Sequence, residues 1–141
     1  MNKFFIPFLM GLLLSGYSQA QQVDMGPDST FRPTLAQVDS LSKTRPVVFS
    51  NKGCGRCTTA KNLLTTNQIP FVVVDLGIPE NRSLMYSIAQ RAAGSSLKGI
   101  HYPVVVYKSE TQYGQSDLNE FLTTITKAYQ AEQAEPAKKT E

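Results

Sequence analysis

Short valine-rich runs alternate along this chain with stretches whose apolar residues recur every three or four positions. The runs are bounded by turn residues, as buried strands are, and they lie at residues 46–50, 71–74 and 103–107. The stretches with helical spacing predict four helices, which begin near Thr34, Cys57, Pro79 and Ser116. With a short fourth strand near residues 111–113, the order β-α-β-α-β-β-α predicts an α/β domain over residues 45–130.

The connections predict how the strands pair. A helix joins the first two strands, so they should be parallel with a right-handed crossover, whereas the turn at 108–110 should make the last two antiparallel. The apolar runs are continuous rather than alternating, which indicates a sheet covered on both faces. In the helix that begins at Pro79, the expected inward-facing residues are Leu84, Met85, Ile88, Ala89 and Ala92.

Residues 1–20 have the pattern of a cleaved export signal. Lys3 gives a positive start, residues 4–14 are almost entirely apolar, and Ser18 and Ala20 are small residues at positions −3 and −1 of a cleavage site. The apolar run is shorter than the about 20 residues that a spanning helix needs, and an uncleaved anchor or a buried helix is the alternative. We therefore expect a periplasmic or secreted protein that begins at Gln21 and has no membrane contact after cleavage.

The remaining segments flank the domain. Residues 21–44 form a polar leader with a short amphipathic helix over 34–43, and residues 131–141 contain no large apolar side chain, which predicts a disordered tail. The chain has 141 residues, and its net charge of +3 is small and scattered, so composition does not favour nucleic-acid binding.

The candidate chemistry lies at Cys54 and Cys57, the two cysteines of the chain. They fall where the first strand ends and the next helix begins. Free N–H groups and the helix dipole favour a thiolate there, and Lys52 and Arg56 add positive charge. We expect Cys54 to attack a substrate disulfide and Cys57, one helical turn away, to resolve the mixed disulfide.

Other interpretations of the cysteine pair stay open at this stage. A permanent disulfide could belong to a non-enzymatic binding or assembly module, and two thiolates could hold copper(I). Zinc would need more ligands than two cysteines and His101 provide, so we expect no bound metal and no cofactor besides the disulfide. His101 could lie near the sulfurs and tune their potential, or be an exposed loop histidine.

Several stretches at matching spacings make residues 45–129 similar to glutaredoxins, within the thioredoxin-fold superfamily. These stretches are residues 47–57, 69–71, 102–106 and 113–118. The resemblance implies a four-stranded mixed sheet of order 2-1-3-4 flanked by helices, and thiol–disulfide oxidoreductase activity. It also implies that Pro103 is a cis-proline facing the disulfide, which leaves the main chain of Tyr102 free to pair with an extended substrate.

The sequence also departs from the glutaredoxin pattern. Gly55 and Arg56 stand between the cysteines in place of Pro-Tyr, and Asn51 stands where a lysine commonly contacts glutathione. The glycine-rich acidic pattern before the last helix keeps only one glycine and one acid. These departures favour protein disulfides or dithiols of the cell envelope over glutathione. The resulting candidate substrate-binding residues are Lys52, Arg56, Tyr102, Pro103, Gly114 and Asp117.

Overall fold

Each valine-rich run forms a strand, and each stretch of helical spacing forms a helix. The computed structural model describes residues 30–114 and 118–135. Its helices are α1 (Leu35–Ser42), α2 (Gly55–Thr66), α3 (Pro79–Ala93) and α4 (Leu118–Ala134). Its strands are β1 (Val47–Ser50), β2 (Val72–Asp75), β3 (Val104–Tyr107) and β4 (Glu110–Gln112). Within the described ranges, no helix is long and apolar enough to cross a membrane.

The strands form one four-stranded sheet of order β2-β1-β3-β4, which confirms the predicted fold class. β1 is parallel to β2 and antiparallel to β3, and β3 is antiparallel to β4. Phe49 lies opposite Val104 in the β1–β3 pair. Continued past the start of β3, this register brings Pro103 level with Ser50 and Tyr102 level with Asn51, close to the cysteine loop.

Both faces of the sheet are covered, as the continuous apolar strands predict. Phe49 and Val104 pack on one face against α1 and α3, through residues such as Val38 and Met85. On the other face, the side chains packed together are those of Val48, Val105, Ala60, Leu64, Leu122 and Ile125. Burying a side chain of this size stabilises the fold by roughly 1.5–3 kcal/mol, so the two layers hold the sheet, and thus the cysteine loop, in place.

Helix α1 packs on this core, on the N-terminal side of the domain boundary predicted at residue 45. A capping box between Thr34 and Gln37 starts the helix, and Val38 is fully buried. At the helix end, the Ser42 carbonyl accepts a bond from Lys108 N–H at 2.6 Å. The short helix is therefore fixed at both ends and in the middle.

The end of the polar leader is also ordered. The amide of Asn81, a buried residue of α3, donates to the Phe31 carbonyl at 3.0 Å and to the Asp75 carbonyl at 2.9 Å. The phenyl ring of Phe31 packs against the core. This amide thus joins the chain before α1 to the corner between β2 and α3, and residues 31–33 are part of the fold rather than a free leader.

Two helix boundaries differ from those predicted. α2 begins at Gly55, because Cys54 already acts as its N-cap. α4 continues to Ala134, so the first part of the predicted tail is helical. Residues 131–134 are good helix formers, and Glu132 is ion-paired with Lys108. The export signal and residues 136–141 lie outside the described residues.

Candidate active site

The cysteine pair lies at the junction of β1 and α2, and its two sulfurs form a disulfide. A turn leads into it, in which Cys54 N–H donates to the Asn51 carbonyl at 3.4 Å and Gly53 has a φ of +74°. Residues with a side chain rarely adopt this backbone conformation, so a glycine is suited to position 53 of the turn. Cys54 then caps α2, because its sulfur accepts the N–H of Cys57 at 3.1 Å.

The two cysteines differ in accessibility. Cys54 is half-buried, whereas only 1% of Cys57 is exposed. Cys54 therefore has surface that an incoming substrate can contact, whereas Cys57 has almost none. The first turn of α2 contains no acidic side chain, so no carboxylate there offsets the positive end of the helix.

The two basic residues of this loop are placed differently. The half-buried Arg56 side chain donates to the Gly114 carbonyl at 3.5 Å, which brings together two of the predicted substrate-binding residues. Lys52 is exposed, and its main-chain N–H donates to the Asn51 side chain at 3.0 Å. Asp117, the other predicted residue of the loop before α4, lies outside the described residues.

The peptide bond between Tyr102 and Pro103 is cis, as the resemblance implies. Pro103 is buried and Tyr102 is half-buried. Neither the N–H nor the C=O of Tyr102 is hydrogen-bonded to another part of the chain that the structure describes. Both groups are thus available to an extended segment that runs past the cysteine loop.

His101 holds this loop through its main chain. Its N–H donates to the Tyr113 carbonyl at 2.8 Å, which extends the contact between the start of β3 and the end of β4. The imidazole is exposed and forms no hydrogen bond with the described residues. The proposed effect of His101 on the sulfurs stays a prediction.

The sequence reasoning missed the contribution of α3 to this region. Tyr86 and Arg82 of α3 lie near enough to Tyr102 to act on its hydroxyl group. Burial, followed by the interaction with Tyr86, raises the pKa of Tyr102. One signal was present in the sequence: Tyr86 is an aromatic residue next to the buried Met85, on the outward side of the predicted apolar stripe.

A disulfide at the start of the helix after β1, beside a cis-proline at the start of β3, defines a thiol–disulfide protein of the thioredoxin fold. Residues 47–111 match the family model described as glutaredoxin. This protein therefore has a glutaredoxin-like domain, and with its paired cysteines it is a thiol–disulfide oxidoreductase. Helices α1 and α4 lie outside the matched residues.

Two solved structures are similar to part of this chain. Glutaredoxin 1 from Francisella tularensis, complexed with cacodylate, is 21% identical over 59% of this chain and 96% of its own, with a TM-score of 0.42. A mutant of the thioredoxin-like protein BC3987 is 18% identical over 56% of this chain and 99% of its own, with a TM-score of 0.39. No curated protein matches the sequence.

Proposed function

We propose that this protein is an exported oxidoreductase that exchanges disulfides with protein substrates of the cell envelope. The observation that carries the proposal is the difference between a reachable Cys54 at the tip of α2 and a Cys57 with 1% of its surface exposed. This difference supports nucleophilic attack by Cys54 and resolution by Cys57.

The exchange balances in two steps. In the reduced protein, the Cys54 thiolate attacks one sulfur of the substrate disulfide, and the other substrate sulfur leaves as a thiolate with the electron pair. The Cys57 thiolate then attacks the Cys54 sulfur, which restores the Cys54–Cys57 disulfide and releases the second substrate thiolate. The substrate gains two electrons and the protein loses two, and the same steps in reverse oxidise a substrate dithiol.

One feature favours protein substrates over glutathione: Asn51 stands where a lysine is expected to contact glutathione. The free main-chain groups of Tyr102 can pair with an extended peptide segment of such a substrate.

Trapping with Cys57→Ser tests the assignment of the cysteines and the substrate class together. Without the resolving thiol, Cys54 should remain disulfide-bonded to the substrate, and mass spectrometry should find it joined to an insulin chain after reaction with insulin. Cys54→Ser is the matched control and should form no such adduct. An adduct with glutathione disulfide but none with insulin would contradict the proposed substrate class.

Export is supported by the charged start, apolar run and small-residue site of residues 1–20. When the full chain is expressed in a bacterial host, the periplasmic fraction should contain a protein whose N-terminal residue is Gln21. Intact Met1 in the cytosolic fraction would contradict export.

A further inference from the structure

Arg56 lies between the two cysteines, and its charge is not neutralised by a carboxylate of the described residues. Its half-buried side chain donates from Nη2 to the Gly114 carbonyl at 3.5 Å. This distance is long for an N–H···O bond, and the carbonyl carries no charge. A guanidinium has several N–H donors in a planar fork that fits a carboxylate. Arg56 therefore keeps donors for a partner that approaches from outside.

The neighbouring chain does not supply a carboxylate for Arg56. The sequence has no acidic residue between Asp39 and Asp75. Asp39 is bonded to Arg91, and the carboxylate of Asp75 accepts the N–H of Gly77 at 2.7 Å. In the part of the chain that the structure describes, none of the ion pairs involves Arg56. The start of α2 thus keeps its positive charge.

Main-chain hydrogen bonds connect Arg56 to the loop before β3. Gly114, which accepts from Arg56, follows Tyr113, and the Tyr113 carbonyl accepts the N–H of His101 at 2.8 Å. His101 precedes Tyr102, whose free N–H and C=O groups the proposed function assigns to substrate pairing. Arg56 therefore bridges the cysteine loop and the segment that holds the loop before β3. A peptide that pairs with Tyr102 while its own cysteine reacts has this guanidinium beside it.

A carboxylate on such a peptide would be a stronger partner for Arg56 than the Gly114 carbonyl. Hydrogen bonds between a guanidinium and a carboxylate are charge-assisted and roughly twice as strong as neutral ones. A basic side chain in the same place would be repelled by Arg56 and by the exposed Lys52, two residues before Cys54. Strand pairing fixes the peptide backbone without regard to its side chains, so this charge can decide which segments are preferred.

We infer that Arg56 is a specificity-determining residue that favours substrate segments with an acidic residue next to the reacting cysteine. This inference rests on the proposed action on protein disulfides, and it adds the charge of the segments that are selected. In the exchange, the Cys54 thiolate bonds to one substrate sulfur and the other leaves with the electron pair. Arg56 holds the neighbouring carboxylate and transfers neither electrons nor protons.

The test compares two peptides that differ at the residue next to a single cysteine, glutamate in one and glutamine in the other. Each is linked by a disulfide to thionitrobenzoate, which leaves with the electron pair when the Cys54 thiolate attacks the peptide sulfur. The coloured anion reports the second-order rate constant of the reduced protein. Dividing it by the rate constant with mercaptoethanol removes the intrinsic difference between the two peptides.

We expect the glutamate peptide to react about fivefold faster at low ionic strength, the upper range for one exposed ion pair. The preference should fall below about twofold in 1 M salt, where the Debye length is only about 3 Å. A preference for the glutamine peptide, or none at low ionic strength, would contradict the inference.

Variants assign the preference to the guanidinium. Arg56→Gln should remove it, whereas Arg56→Lys, which keeps the charge, should retain at least about twofold. Because the preference is a ratio, a change in the pKa of Cys54 that affects both peptides equally cancels. Lys127→Gln is the matched control: it removes the same charge from an exposed position on α4, the helix that pairs with Lys108 after the far end of β3. A preference that persists in Arg56→Gln, or that Lys127→Gln also abolishes, would overturn the inference.

The proposed function can fail separately. If neither peptide reacts while glutathione disulfide is reduced rapidly, the assignment of peptide substrates is wrong, and this inference is wrong with it. If both peptides react quickly and at equal normalised rates, the proposed function stands and the role of Arg56 is contradicted.

Discussion

The surroundings of Cys54 are built from main-chain groups more than from charged side chains. Its sulfur accepts the N–H of Cys57 at the start of α2, whereas the side chain of Lys52 is exposed, where solvent and salt weaken its field. Arg56 points its donor group toward Gly114. We therefore expect the helix terminus, rather than Lys52 and Arg56, to be the main feature that stabilises a thiolate at Cys54.

At the residue scale, the pair between Asp39 and Arg91 predicts a pH-dependent contribution to stability. The guanidinium donates to both carboxylate oxygens, at 2.6 and 2.9 Å, and this bond lowers the pKa of Asp39 below its ordinary value. The folded-state pKa then lies below the unfolded one. The stabilisation is present above the unfolded pKa and is lost as pH falls through the folded pKa.

Asp39→Asn should therefore lower the free energy of unfolding at neutral pH, and the difference from wild type should vanish in acid. Both side chains are nearly half exposed, which limits the expected loss to less than about 1 kcal/mol. Urea denaturation across the pH range measures it. Glu110→Gln, at an exposed carboxylate without an ion pair among the described residues, is the control, and an equal loss at every pH would contradict the account.

The sequence alone could identify residues whose role depends on other residues close to them in the chain. Cys54 and Cys57 stand out by spacing, and the cis bond before Pro103 followed from resemblance rather than from spacing. Asn81 could not be found in this way. Its partners are the carbonyls of Phe31 and Asp75. The Phe31 carbonyl is distant in sequence, and only folding brings it next to α3.

At the element scale, α1 extends the domain beyond the residues that match the glutaredoxin family. The fully buried Val38 faces the layer that contains Phe49 and Val104, the strand residues next to the cysteine loop and the cis-proline. The helix thus supports the sheet end from which both active-site loops leave, although it contributes no group to the site.

Val38→Ala should lower the free energy of unfolding by about 2 kcal/mol, because it removes buried methyl groups and leaves a cavity. Leu35→Ala on the same helix should cost less, because Leu35 is exposed. Urea denaturation of the oxidised protein measures both. Equal, small losses for the two variants would mean that α1 does not pack as described.

Apolar periodicity predicted the order and type of the elements but not all of their ends or faces. Met85, Ile88 and Ala89 are buried as expected, whereas Ala92 is exposed, since the end of α3 no longer lies over the sheet core. Helix α4 continues beyond its last large apolar residue, because residues 131–134 have high helix propensity and Glu132 forms an ion pair with Lys108. Apolar patterns report burial, so they miss a helical end held by propensity and charge.

At the scale of the whole molecule, the site combines segments that are distant in sequence. The sheet order places β3 beside β1, so the loop before β3 lies next to the cysteines. The hydrogen bond from Arg56 to the Gly114 carbonyl connects the cysteine loop to the segment that follows β4. The resemblance predicted this sheet order. It did not predict that Tyr86 of α3 acts on the pKa of Tyr102, because that influence depends on how the helix crosses the sheet.

The central claim is that this assembly holds the sulfur of Cys54 as a reachable thiolate at the start of α2. Thiolate absorbance of reduced Cys57→Ser, followed against pH, reports the pKa of Cys54 alone, and reduced Cys54→Ser reports that of Cys57. We predict a Cys54 pKa below the value of about 8.5 for a free cysteine and a higher pKa for the buried Cys57. A Cys54 pKa at or above the free-cysteine value would contradict the account.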